Sequence, residues 1–206
     1  MNDFSIEMAL FDYIPVIFFA LGAFILLRDF HNKVRKDSYA LFAIGVAAVA
    51  IAGTLKATWK LLYAANIYNV VMFDELFFPL QSVGFLLAGV GIMSILFFKS
   101  TQKTTIYSMT PSLLMMILLM VSGLAFLDAG LCVIAKKLKK PALIAVFALS
   151  FVCCLGMGYL SSKDFAEASM NWIAEIVNFC GQGLFLLGVC MLHKAGLKDL
   201  KLEKEA

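Results

Sequence analysis

Charge is scarce in this chain. Only 15% of its 206 residues are Asp, Glu, Lys or Arg, against 62% hydrophobic ones. A soluble domain carries about 25% charged residues, and one compact core of this length cannot hide so much apolar surface. Soluble enzymes, disordered chains and disulfide-stapled secreted domains are excluded on this ground. The net charge of +3 comes from short clusters between apolar runs. No continuous basic face exists for a phosphate backbone, so nucleic acid is not an expected partner.

Histidine is nearly absent as well. His31 and His193 are the only two, and both stand beside basic residues at the ends of apolar runs. Haem or metal ligation within a bundle wants histidines that converge inside it, so no cofactor or metal is expected. There is no G-x-S-x-G elbow, and no serine or cysteine has an evident histidine partner. The five cysteines (Cys132, Cys153, Cys154, Cys180, Cys190) form no Cys-x-x-Cys pair and read as small buried hydrophobes. Proline is equally sparse. Pro15, Pro79 and Pro111 lie where helices start or kink.

Long apolar runs are plentiful. Six are long enough to approach a bilayer crossing of about 20 residues: Tyr13–Leu27, Tyr39–Leu62, Phe73–Phe98, Ser112–Ile134, Ala142–Tyr159 and Trp172–Leu192. They are apolar all round and do not alternate as barrel strands do. The expected fold is an all-α integral membrane protein, a polytopic bundle of six or seven transmembrane segments. The acidic start, Met1 to Glu7, lacks the positive charge of a signal peptide, so the first run is expected to remain.

The two halves resemble each other. Gly84-Phe85-Leu86-Leu87-Ala88-Gly89-Val90 and Gly183-Leu184-Phe185-Leu186-Leu187-Gly188-Val189 share G-x-x-L-x-G-V, with Glu75 or Glu175 about two turns before each. Gly22 leads to the basic pair Arg35-Lys36 as Gly123 leads to Lys136-Lys137. The expectation is two three-helix repeats: 1–98, then 99–192 with a linker or hairpin, then an amphipathic cytoplasmic tail at 193–206. Such repeats are common in transporters. Small residues at Gly84, Ala88 and Gly91, at Ala125 and Ala129, and at Gly181 and Gly188 suit close helix contacts.

The basic residues set a topological puzzle. With six crossings, Arg28, Lys33, Arg35, Lys36, Lys99, Lys103 and Lys163 face one side. Lys136, Lys137, Lys139, Lys140, Lys194, Lys198, Lys201 and Lys204 face the other. That is no positive-inside bias. Two arrangements resolve it. Opposite copies pair as an antiparallel homodimer, or Thr104–Lys137 crosses an even number of times, as a hairpin broken near Ser122-Gly123. The second gives seven crossings, an outside N-terminus and a cytoplasmic C-terminus, in a plasma (cytoplasmic) membrane.

Polar groups inside apolar runs carry a cost in lipid and so point to function. Gln81, Ser82, Asn178, Gln182 and Asp128 are the candidate substrate-binding residues, with interhelical hydrogen bonding as their structural alternative. Lys56 and Lys60 share a face near the end of the second run, and Asp74 and Glu75 open the third. Together these four are expected to form an outer charged cluster. The leading functional expectation is movement of a small polar solute or ion through a site between two repeats. A sensor or scaffold signalling through the tail is the alternative. A membrane-embedded enzyme using Asp12, Asp74, Glu75, Asp128 or Glu175 comes third. The lipid bilayer is the expected partner.

Overall fold

The computed structural model describes residues 5–97, 112–160 and 168–200. They form eight α-helices: α1 (Ile6–Phe11), α2 (Tyr13–Phe30), α3 (Lys36–Ala64), α4 (Val71–Glu75), α5 (Phe77–Phe97), α6 (Leu113–Lys137), α7 (Ala142–Leu160) and α8 (Ala168–Lys194). A 3-10 turn, Leu197–Asp199, follows, and the described residues contain no strand. Five stretches are long and apolar enough to cross a membrane: Ile6–Phe30, Lys36–Ala64, Val71–Phe97, Leu114–Lys137 and Met170–Lys194. Ala142–Met157 is a shorter apolar helix. The outer surface is equally apolar, with Phe24, Ile44, Leu118, Val152 and Ile176 all exposed. Several long apolar helices with greasy outer faces make this a membrane-embedded helical bundle.

Two prolines shape one end of it. A proline has no N–H to offer the carbonyl four residues back, and its ring crowds that carbonyl. For Pro15 that position is Phe11, the last residue of α1, and for Pro79 it is Glu75, the last residue of α4. Each short helix therefore stops there, and α2 and α5 restart with the proline in their first turn, where its missing N–H has no helical partner to lose. Ser5 and Ser112 cap α1 and α6, accepting from the backbone N–H of Met8 at 3.2 Å and Met115 at 3.4 Å.

Small residues set the helix pairings. A Cβ at Gly45 of α3 would strike the backbone of Ala88 on α5, one at Gly84 would lie 2.9 Å from Val49 N, and one at Gly91 would lie 2.6 Å from Phe42 N. α3 and α5 are thus antiparallel and nearly in backbone contact. On its other face α5 meets α6: Gly123 abuts Phe85 and Leu86, Gly89 abuts Gly123 and Phe126, and Gly130 faces Ile92. The paired numbers rise together, so α5 and α6 run parallel. α2 and α8 are also parallel, joined by Phe18–Phe179, Gly22–Phe185 and Arg28–His193 contacts. α7 runs antiparallel to α8, with Phe147 over Gly188 and Ser150 donating to Gly181 O at 3.0 Å.

This order gives the bundle two chemically different ends. At one end stand Arg28, Lys33, Arg35 and Lys36 around the α2–α3 turn, Lys136, Lys137, Lys139 and Lys140 around the α6–α7 turn, and Lys194 and Lys198 after α8. At the other stand Asp12, Asp74, Glu75 and Glu175, with Lys56 and Lys60. The largest fully buried side chains lie mostly toward the basic end, including Phe30, Phe42, Ile134, Leu143, Leu192 and Leu197. Lys99, Lys103, Pro111, Lys163, Lys201 and Lys204 fall outside the described residues.

One expectation is corrected here. α6 is not broken at Ser122-Gly123 but runs unbroken to Lys137. Ser122 donates its hydroxyl to Leu119 O at 3.0 Å within the helix, and Gly123 serves as a contact point for α5. A small-polar pair inside an apolar run is helix-packing material when a neighbouring helix needs the space.

Candidate functional site: a charged cluster and a cavity

The interruption before Pro15 leaves Asp12 between α1 and α2, pointing at the end of α3. Lys60 Nζ lies 2.8 Å from Asp12 Oδ2 and 2.5 Å from Glu175 Oε1 of α8. All three are nearly buried, with side chains 13%, 10% and 5% exposed. Two carboxylates flank one ammonium, and Glu175 Oε2 has no hydrogen-bond partner among the described residues. The cluster therefore ties α3 to both the α1–α2 junction and α8. One turn earlier Lys56 pairs with Asp74 and sits over the Trp59 ring at 4.6 Å. Trp59 donates to Asn69 at 2.9 Å, and Tyr13 and Thr58 share a 2.8 Å hydrogen bond.

From the acidic end toward the middle of the bundle, α5, α6, α7 and α8 line a half-open cavity of about 510 Å³. Its walls are mainly Phe77, Phe78, Phe85, Ile117, Met120, Val121, Leu124, Leu155 and Met157. Gln81, Cys154, Tyr159 and Gln182 supply the polar positions. Gln182 Nε2 points at Cys154 Sγ, 3.8 Å away. Mostly apolar walls with a few placed polar groups, at a volume of several hundred Å³, are the usual make-up of a small-molecule pocket.

The candidates divide between these places. Gln81 of α5 and Gln182 of α8 both line the cavity. Ser82, on the same turn as Gln81, is buried and donates its hydroxyl to Phe78 O at 2.6 Å within its own helix, so its donor is spent. Asn178 is half-buried and outside the cavity wall. Asp128 is 5% exposed, and its Oδ1 lacks a hydrogen-bond partner among the described residues.

The outer charged cluster forms with different members from those expected. Lys56 does meet Asp74. Lys60 turns instead toward Asp12 and Glu175, while Glu75 is exposed and outside the ion pairs. The reason is the break at Leu76: α4 is a separate turn whose Asp74 faces α3, so its neighbour Glu75 points away. Sequence spacing gave no hint of α8 on this face of α3.

A second cluster at the basic end was missed altogether. Asp29, in the last turn of α2, is buried at 3% exposure, where the helix dipole disfavours an anion. His193 Nδ1 lies 2.7 Å from Asp29 Oδ2 and Arg28 Nη2 lies 3.3 Å from Oδ1, which compensates it. His193 thus fastens the end of α8 to α2. Among the described residues no group of three or more His, Cys, Asp or Glu is arranged to hold a metal ion. The chain matches no family model, no curated protein and no solved structure.

Proposed function

We propose that this protein carries a small molecule across the membrane through the cavity between α5 and α6 on one side and α7 and α8 on the other. The observation that carries the reading is the convergence of Gln81 and Gln182, from distant parts of the chain, on one roomy cavity. The mostly apolar wall narrows the solute: it has an apolar body with few polar groups, because a fully hydrated ion would leave its shell for groups that cannot replace it.

The two halves of the chain support a duplicated carrier. α2, α3 and α5 correspond in order and direction to α6, α7 and α8, and the contacts exchange accordingly. Gly22 of α2 lies under Phe185 of α8 as Gly123 of α6 lies under Leu86 of α5. Phe185 and Leu86 occupy the same place in the shared G-x-x-L-x-G-V segment. Parallel repeats related by an axis along the membrane normal place a site at their interface. The proposed count is seven crossings, which gathers the basic turns on one side. The basic end then faces the cytoplasm, with the N-terminus outside.

The tail favours this reading over signalling through a partner. Leu197 is fully buried and Leu200 packs on the core, so the start of the tail is already docked on its own bundle. The test is solute flux in proteoliposomes. Replacing both Gln81 and Gln182 with Leu is expected to abolish uptake while the melting temperature holds, because one interhelical hydrogen bond in a membrane contributes only about 0.6 kcal/mol. Unchanged flux with a lowered melting temperature would make the two amides packing groups instead.

A further inference from the structure

Asp128 stands apart from both charged clusters. The other nearly buried carboxylates have partners: Asp12 and Glu175 share Lys60, and Asp29 meets the Arg28 guanidinium and the His193 ring. Asp128 is equally buried, yet no ion pair reaches it among the described residues and its Oδ1 has no hydrogen-bond partner. An unpaired acid deep in a membrane bundle is costly to keep.

Its position relative to the cavity is specific. Ile117, Val121 and Leu124 of α6 line the wall, and Asp128 continues that stripe one turn further, at the same helical spacing. Cys154 of α7 belongs to the same wall. The acid therefore stands under the cavity floor. Around the space above it are the rings of Phe77, Phe78, Phe85 and Tyr159, whose faces attract cations.

We infer that the cavity takes an amphipathic organic cation, a bulky apolar body carrying a single positive charge, which Asp128 neutralises from beneath the floor. This rests on the cavity being the solute site. A metal ion fits poorly, since the described residues bring no cluster of ligating side chains together. An organic monocation needs only one counter-charge, and its apolar body suits the wall. The low dielectric around a buried carboxylate makes that one charge selective.

The test compares two ions of equal shape and opposite charge, tetraphenylphosphonium and tetraphenylborate, in equilibrium dialysis against the purified full chain. Saturable binding of the phosphonium is expected, with at least tenfold weaker binding of the borate. Asp128→Asn is expected to weaken the phosphonium at least tenfold, and Leu124→Trp, which fills the cavity, to remove it. If both ions bind alike and Leu124→Trp removes both, the cavity is the site and the role of Asp128 is wrong. If Asp128→Asn leaves phosphonium affinity unchanged, the inference is likewise overturned. Absence of saturable binding by either ion overturns the solute site with it. Should Asp128→Asn fail to fold, the wild-type preference between the two ions decides.

Discussion

Lys60 Nζ of α3 lies 2.5 Å from Glu175 Oε1 of α8, a contact between helices that are far apart in the chain. Asp12 completes the cluster, so Lys60→Met leaves two nearly buried carboxylates facing each other. Breaking a buried pair by removing one partner costs about 3–5 kcal/mol. Lys60→Met is expected to lower the melting temperature sharply, and adding Glu175→Leu to recover part of the loss. Lys56→Met is expected to cost under about 1 kcal/mol, because its pair with Asp74 is partly exposed. Thermal unfolding of these three variants and of Glu175→Leu alone in detergent checks this. Additive single effects in the Lys60–Glu175 cycle would show that the two do not interact.

The glycines offer a sharper contrast because they differ only in what lies over them. A methyl group at Gly45 or Gly123 would meet the backbone of α5, which cannot swing aside. Gly45→Ala and Gly123→Ala are each expected to destabilise by about 1–3 kcal/mol. At Gly156 the nearest atom, Val177 Cγ1, would be 3.6 Å away. Gly156→Ala is expected to be neutral or to stabilise by up to about 1 kcal/mol through helix propensity. Equal melting temperatures across the three would contradict the helix contacts described.

Parallel α5 and α6 bring the basic turns to one end, which impermeant thiol labelling in intact cells reads directly. In a cysteine-free background, Lys33→Cys, Lys139→Cys and Lys198→Cys are expected to be protected, and Asn69→Cys at the acidic end to be labelled. Labelling at position 139 with protection at 33 would place the α6–α7 turn on the opposite side. Partial labelling at every position would indicate chains inserted both ways up.

Leu197 anchors the tail by full burial against the core. Leu197→Asp places an unpaired charge in that pocket and is expected to free the tail from the bundle. Trypsin cutting after Lys194 or Lys198 should then accelerate at least several-fold relative to the wild type. An unchanged cleavage rate would mean the tail is not held by this contact.

The helices themselves were legible because apolar length alone specifies them: the run Ser112–Ile134 became α6, and Tyr13–Leu27 became α2. Gln81 and Gln182 stood out because an amide in an apolar run must find a partner or a cavity. Pairing was less legible. Helices apolar all round have no favoured face in their pattern, so nothing in the spacing of Lys60 pointed to Glu175 in place of Glu75. The direction of α6 relative to α5 was less legible still, because the basic residues fit either an even number of crossings over Thr104–Lys137 or chains inserted both ways up. The hairpin placed at Ser122-Gly123 failed because small residues serve close packing as readily as turns, and the sequence does not distinguish the two uses.

Carriage of a solute requires the cavity to open to each side of the membrane in turn. The most direct measurement is modification of Gln182→Cys, in a cysteine-free background, by an impermeant methanethiosulfonate applied separately to each face of oriented vesicles. The expected result is reaction from both faces, with a rate lowered when a bound solute occupies the cavity. No reaction from either face, or reaction from one face only, would contradict the carrier reading.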